Sequence, residues 1–159
     1  LYGVALALYP GCQALWYGLP LVLLVRMALN ALDGMLANAT GQKTPLGAML
    51  NELCDLVSDA ALYLPFALVP GIHAGLVVGA VVVASWAECT GLAALAAGTQ
   101  RRFDGPMGKS DRAVAFGLLG LLVGSAATPV WTNGLLVLVL VLLGWTLRNR
   151  VRAALRALG

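Results

Sequence analysis

The chain of 159 residues has little charge, with 10 Lys and Arg, 7 Asp and Glu, and 11% charged residues in all, against roughly a quarter in soluble domains. Together with 60% hydrophobic residues and a mean hydropathy of +0.88, this argues against a water-soluble globular protein. There is one histidine, and the three cysteines (Cys12, Cys54 and Cys89) are far apart, so neither a disulfide framework nor a zinc or iron site has its ligand spacing. The cysteines read as free thiols. Aromatic residues make up only 7% and the net charge is +3. The basic residues sit at the ends of apolar runs, where they speak of membrane topology and against a nucleic-acid partner. Nothing at the start resembles the charged, apolar and small-residue segments of a signal peptide. The chain opens on Leu1 partway through an apolar run, which reads as the remainder of a first span whose start lies upstream.

What the chain has in abundance is long apolar runs. They cover residues 1 to 9, 16 to 38, 46 to 69, 73 to 98, 113 to 129 and 131 to 147. At 1.5 Å per residue most can cross a hydrocarbon core of about 30 Å. The expectation is therefore all-α: one polytopic membrane helical bundle over residues 1 to 159, with about six transmembrane helices, the first truncated. Pro10-Gly11, Pro70-Gly71 and the stretch at 127 to 133 read as tight turns on one side. Polar loops at 38 to 45 and 100 to 112, and the terminal stretch from Arg148, fall on the other. Nine of the ten basic residues belong to that second side, which the positive-inside rule makes cytoplasmic. The expected location is the bacterial inner membrane. The terminal arginines, at helical spacing beside Val151, Leu155 and Leu158, are expected to lie along an anionic leaflet.

An ionisable group inside the hydrocarbon costs roughly 2.5 to 3.5 kcal/mol even on lenient scales. Six such groups occur here: Arg26, Asp33, Glu52, Asp55, Asp59 and Glu88. Arg26, Asn30, Asp33 and Ala37 follow one helical stripe, while Gly47, Asn51, Asp55 and Asp59 recur every fourth position on the next span. Two polar stripes thus face each other near one membrane surface. Oxygen ligands from Asn30, Asp33, Asn51, Asp55 and Asp59 suit a hard cation, Mg²⁺ or Mn²⁺. The plainer alternative is hydrogen-bond glue between helices. Arg26 and Glu88 lie deeper, and either pair with one another or leave Arg26 to reach a phosphate. Lys109, Arg112, Arg101 and Arg102 ring the expected mouth, as phosphate contacts or as positive-inside anchors.

The stretch from Asn30 to Asp55, NALDGMLANATGQKTPLGAMLNELCD, resembles the signature of the CDP-alcohol phosphatidyltransferases, D-x2-D-G-x2-A-R-x8-G-x3-D-x3-D. Every spacing fits, and Asp33, Gly34, Ala37, Gly47 and Asp55 match outright. Asn30 and Asn51 stand for the first and third Asp, and Asn38 for the Arg. The loop RRFDGPMGKSDRAVAFG is similar, more loosely, to one in bacterial members with Asn at those same two positions. The resemblance implies that an acceptor hydroxyl attacks the β-phosphorus of a CDP-linked lipid alcohol such as CDP-diacylglycerol, releasing CMP in phospholipid biosynthesis. It implies Asp55 as general base, Mg²⁺ or Mn²⁺ as cofactor, and substrate contacts at Gly34, Ala37, Gly47, Arg26, Lys109 and Arg112. Gly34, Ala37 and Gly47 are expected to let two helices and a nucleotide approach closely. Partners are then the lipid donor, a hydroxyl acceptor of unspecified kind and membrane lipids. A homodimer is compatible with the resemblance. Asn keeps a carbonyl oxygen for a metal, but the loss of two charges leaves open whether one ion or two are bound.

Two other readings stay open. Intramembrane acids and a buried Arg also suit an ion or proton transporter subunit, although the outer halves of the last two spans hold no ionising group. A Mg-dependent polyprenyl transferase also uses Asp-rich membrane helices, but in two separated clusters.

Overall fold

Apolar runs of this length leave the backbone no solvent to bond to, and the helix is the local structure that satisfies every N–H and C=O from within. In a computed structural model, residues 1–40 and 44–158 are described, and their secondary structure is helical with no strand among the described residues. The helices are α1 (Tyr2–Leu8), α2 (Gln13–Thr40), α3 (Pro45–Tyr63), α4 (Ala74–Ala96), α5 (Lys109–Gly124) and α6 (Pro129–Leu158). A short 3-10 turn, Leu64–Leu68, follows α3.

Local chemistry sets the boundaries. The Thr44 hydroxyl accepts from the Gly47 N–H at 3.1 Å and Pro45 opens α3, where its missing N–H costs nothing. Pro65 lacks the donor that would continue α3, so the run expected to reach residue 69 tightens into the 3-10 turn. The Gly108 N–H donates to Asp111 at 2.9 Å, which starts α5 at Lys109, four residues before the expected 113. No breaker separates Leu147 from Arg148, and α6 runs through both without interruption. The terminal arginines are therefore the continuation of α6 and not an element of their own.

α2 packs against α5, α4 against α6, and α5 against α6, while α3 rests on α1, α4 and the 3-10 turn. The apolar core runs from the tight-turn end, where its aromatic side chains gather, to Met107 and Ala113 beside the polar loop. Tyr63 stacks on Phe116 with ring centroids 3.7 Å apart, Phe66 meets Phe116 edge-on at 5.6 Å, and Trp16 lies 4.5 Å from Phe66. Leu19, Leu119, Leu136 and Leu143 are fully buried around them. Three helices, Gln13–Leu36, Ala74–Ala96 and Pro129–Leu158, are long and apolar enough to cross a membrane. The remaining three are shorter or carry acids, so length and composition support three spans and not the count of about six.

Glycine permits the closest approach between α2 and α5. A Cβ on Gly120 would lie 3.0 Å from the Trp16 carbonyl oxygen and 3.1 Å from Leu19. Gly120→Leu is expected to overpack this seam by about 1–3 kcal/mol, lowering the midpoint of thermal unfolding in detergent, while Gly34→Ala, at a position with open space, leaves it nearly unchanged.

Candidate functional site

At the polar-loop end the apolar core gives way to charge. α2 contributes Arg26, Asn30 and Asp33; α3 contributes Glu52, Asp55 and Asp59; α4 contributes Glu88; α5 contributes Lys109 and Arg112; and α6 contributes Arg150. Each acid that points inward finds cations. Asp55 pairs with Lys109 and, at 3.3 Å, with Arg26, and it also accepts from the Asn30 amide at 3.0 Å. Asp59 pairs with Arg26 and, at 3.0 Å, with Arg112. Glu52 pairs with Arg101. Glu88 accepts from Arg112 at 2.8 Å and lies 3.2 Å from Arg150 and 3.6 Å from Arg101. Its bond to Glu52 is the main reason the Arg101 guanidinium holds its proton more tightly than usual, against burial that acts the other way.

The two expected stripes do meet, through long side chains. α2 and α3 do not pack closely on each other. Arg26 crosses the gap, holding Asp59, the Asp55 carboxylate and the Asp55 backbone carbonyl at 3.0 Å. Beside it runs a groove of about 600 Å³ between α2 and α3. Leu21, Val25 and Leu29 line its apolar length, and Arg26, Asn30, Asp33 and Asp55 its polar end.

Several expectations change in this light. The Arg26 to Glu88 pair is not formed; Arg26 takes the two acids of α3, and Glu88 takes arginines from α5, α6 and the loop. Arg112, expected at the mouth as a phosphate contact, is 2% exposed and engaged on both sides by Asp59 and Glu88. Asp59, expected as a metal ligand, is buried with both carboxylate oxygens on arginines and does not line the groove. Gly34 and Gly47 do not seat one helix on another. Among the described residues a Cβ at Gly34 would meet nothing within 4 Å, and one at Gly47 the capping Thr44 hydroxyl alone, so neither position seats a neighbouring described helix. Asn51 is exposed one turn before Asp55. Ala37, the remaining expected contact, lies where side chains are outside the described set, as does all of Lys43.

The donor set can be weighed against a divalent cation. Among the described residues no three His, Cys, Asp or Glu side chains converge into a ready-made cage. Asp33, however, has no bonding partner among the described residues, and Asn30, which donates through its amide nitrogen, keeps its carbonyl oxygen free. A carboxylate and an amide oxygen at the end of an open groove, facing Asp55, fit a hard cation whose other ligands are phosphate oxygens or water.

Arg150 and Glu88 form a centre that simple charge counting misses. Leu136, Val139, Leu143, Thr146 and Arg150 are all buried and follow one another at intervals of three and four. That spacing marks a single face of α6. Arg150 therefore turns inward, bonding the Ala87 carbonyl at 2.6 Å, while Arg148, Arg152 and Arg156 stay out. Gly105 admits the loop to the same place. Its φ is +126°, and a Cβ there would lie 2.6 Å from the Thr146 backbone.

An all-helical bundle with three long apolar spans and a charged interior confined to one end defines an integral membrane protein. It is 49% identical, over 140 residues covering 86% of this chain and 69% of the other, to "Inner membrane protein YnbA" of Escherichia coli (strain K12). The chain belongs to the family of that protein and is an integral inner membrane protein. No family model matches the chain, nor does any solved structure.

Removing one charge from the buried centre strands its partners. Glu88→Gln is expected to destabilise the protein by about 3–5 kcal/mol because two buried guanidiniums lose their carboxylate. Asp33→Asn, at an exposed group, should stay within about 0.5 kcal/mol of the parent. Thermal unfolding of both variants in detergent checks the contrast.

Proposed function

We propose that the protein is a divalent-metal-dependent membrane phosphotransferase that moves a phosphatidyl-type group from a CDP-linked lipid alcohol to an acceptor hydroxyl, releasing CMP. The observation that carries this reading is the groove between α2 and α3. The residues of the Asn30 to Asp55 motif, Asn30, Asp33 and Asp55, line one end of it, while its remaining length is apolar. A lipid alcohol with a charged headgroup has that same division.

The chemistry follows from charge. The ion-paired centre holds Glu52, Asp55, Asp59 and Glu88 against Arg26, Arg101, Lys109, Arg112 and Arg150, and the neighbouring Asp33 brings the sum to balance. With a divalent ion on Asp33 the site turns positive and offers a pyrophosphate charge-assisted donors that a monocation cannot use, which sets it apart from an ion pathway. Arg26, fixed by Asp55 and Asp59, presents a rigid cation at the groove wall, and Lys109 holds Asp55 from beyond it. Asp33 and the Asn30 carbonyl oxygen would hold Mg²⁺ or Mn²⁺. When bound, that ion neutralises charge developing on the leaving phosphate. Asp55 accepts the proton of the acceptor hydroxyl as the hydroxyl oxygen bonds to the β-phosphorus and the bond to CMP breaks.

The topology belongs to the same reading. All six helices cross or dip into the bilayer, and the charged end faces the cytoplasm, where Arg101, Arg102, Arg148, Arg152 and Arg156 gather and CDP-alcohol headgroups and soluble acceptors are within reach. The acceptor is a hydroxyl compound, and a second copy of the chain is a compatible partner.

Incubating the full chain with CDP-diacylglycerol, Mn²⁺ and a panel of hydroxyl acceptors is expected to release CMP, with loss of about 10²- to 10⁴-fold in Asp55→Asn. Pyrophosphate release instead would indicate a polyprenyl transferase. Ion flux in liposomes without CMP would indicate a transporter.

A further inference from the structure

The geometry points to a competition built into the site: the Lys109 ammonium is the resident counter-ion of Asp55, and a divalent cation takes its place at that carboxylate only as Lys109 withdraws. This rests on the metal-dependent reading above and adds to it a cation supplied by the chain itself.

Both oxygens of Asp55 are occupied. Oδ1 accepts from Asn30 at 3.0 Å and from Arg26 at 3.3 Å, and Oδ2 accepts from Lys109. The two cations differ in how firmly they are held. Arg26 has further bonds to Asp59 and to the Asp55 backbone carbonyl. Among the described residues the Lys109 side chain bonds to Asp55 alone, and it is 25% exposed. It is the first residue of α5, directly after Gly108, and carries its charge on a flexible four-carbon stem. Of the two cations on Asp55, Lys109 is therefore the one that can leave without breaking another ion pair.

Charge favours the exchange. The paired centre together with Asp33 is already balanced, five cations against five acids. A divalent cation added beside an unmoved ammonium would set like charges a few ångströms apart in a poorly screened place. Once Lys109 swings off, Asp55 Oδ2 joins Asp33 and the Asn30 carbonyl oxygen as a hard-oxygen donor. The released ammonium keeps its place beside Asp55, within reach of Glu52 and Glu88 in the small cavity it lines, and an incoming phosphate restores the balance. Because linkage is reciprocal, whatever weakens the Lys109 to Asp55 pair strengthens the cation's binding, and the cation in turn exposes Lys109.

The test is Mn²⁺ binding to the full chain in detergent, by calorimetry and without nucleotide. Lys109→Met is expected to bind Mn²⁺ about tenfold more tightly than the parent, within the usual range of such couplings. Lys109→Arg, which keeps the charge, should bind less tightly than Lys109→Met, and Asp33→Asn should weaken binding in either background. A second measurement needs no variant: saturating Mn²⁺ should raise the rate at which an amine reagent modifies Lys109 in the parent protein, read by mass spectrometry. Equal or weaker Mn²⁺ affinity in Lys109→Met, unchanged Lys109 reactivity with Mn²⁺ bound, or no Mn²⁺ binding to either protein would each overturn the competition. The transferase reading fails by a different sign, the absence of CMP from a protein that binds Mn²⁺.

Discussion

A single buried carboxylate, Glu88, organises the charged end of the bundle. Arginines from the loop, α5 and α6 converge on it, and two of them, Arg112 and Arg150, are almost wholly buried. In an apolar interior a lone guanidinium is far costlier than in water, so each of these side chains is held wherever a carboxylate can be found. The consequence is register. α4, α5 and α6 cannot slide past one another without stranding a charge, and Arg112 carries the constraint on to Asp59 of α3. The apolar core at the opposite end has no such directional requirement and relies on shape, as in the stack of Tyr63 on Phe116.

The same economy of partners explains why a groove exists at all. α2 and α3 are held together at this end by Arg26 reaching over to two carboxylates, and not by small residues in close contact. A long side chain acting as a spacer keeps two helices apart while fixing their relative position. Pairing also sorts the acids by role. Asp59 and Glu88 are fully engaged and hold structure, Asp33 has no partner among the described residues, and Asp55 stands between the two.

Much of this was legible in the residues. Long apolar runs divided by Pro-Gly turns marked the helices, and basic loops marked the polar end. The four-residue spacing from Asn51 to Asp59 put the acids of α3 on one face. Partner choice was not legible, because it depends on which helices adjoin. Arg26 and Glu88, deep in their respective runs, looked like natural partners, yet α3 lies nearer the one and α5 with α6 nearer the other. Arg112 looked like a surface residue because its loop is polar, but its place one turn before Phe116 turns it toward the core. The continuous α6 could be seen in the three-and-four spacing from Leu136 to Arg150, a rhythm hidden by the run of arginines around it. The number of spans is the harder matter, since α3 and α5 are too charged or too short to declare themselves.

Two neighbouring helices of unequal length leave part of the longer one without a helical partner. α5 has 16 residues and α6 has 30, about 24 Å and 45 Å of helix at 1.5 Å per residue. Of the two, only α6 is long and apolar enough to cross a hydrocarbon core of about 30 Å. Its overhang at the polar end is clothed by the loop at 97 to 108, where Gly105 lies against the Thr146 backbone and the Met107 N–H donates to the Thr146 hydroxyl at 2.9 Å. The loop thereby does for α6 what another helix would, at the depth where Arg150 enters the charged centre.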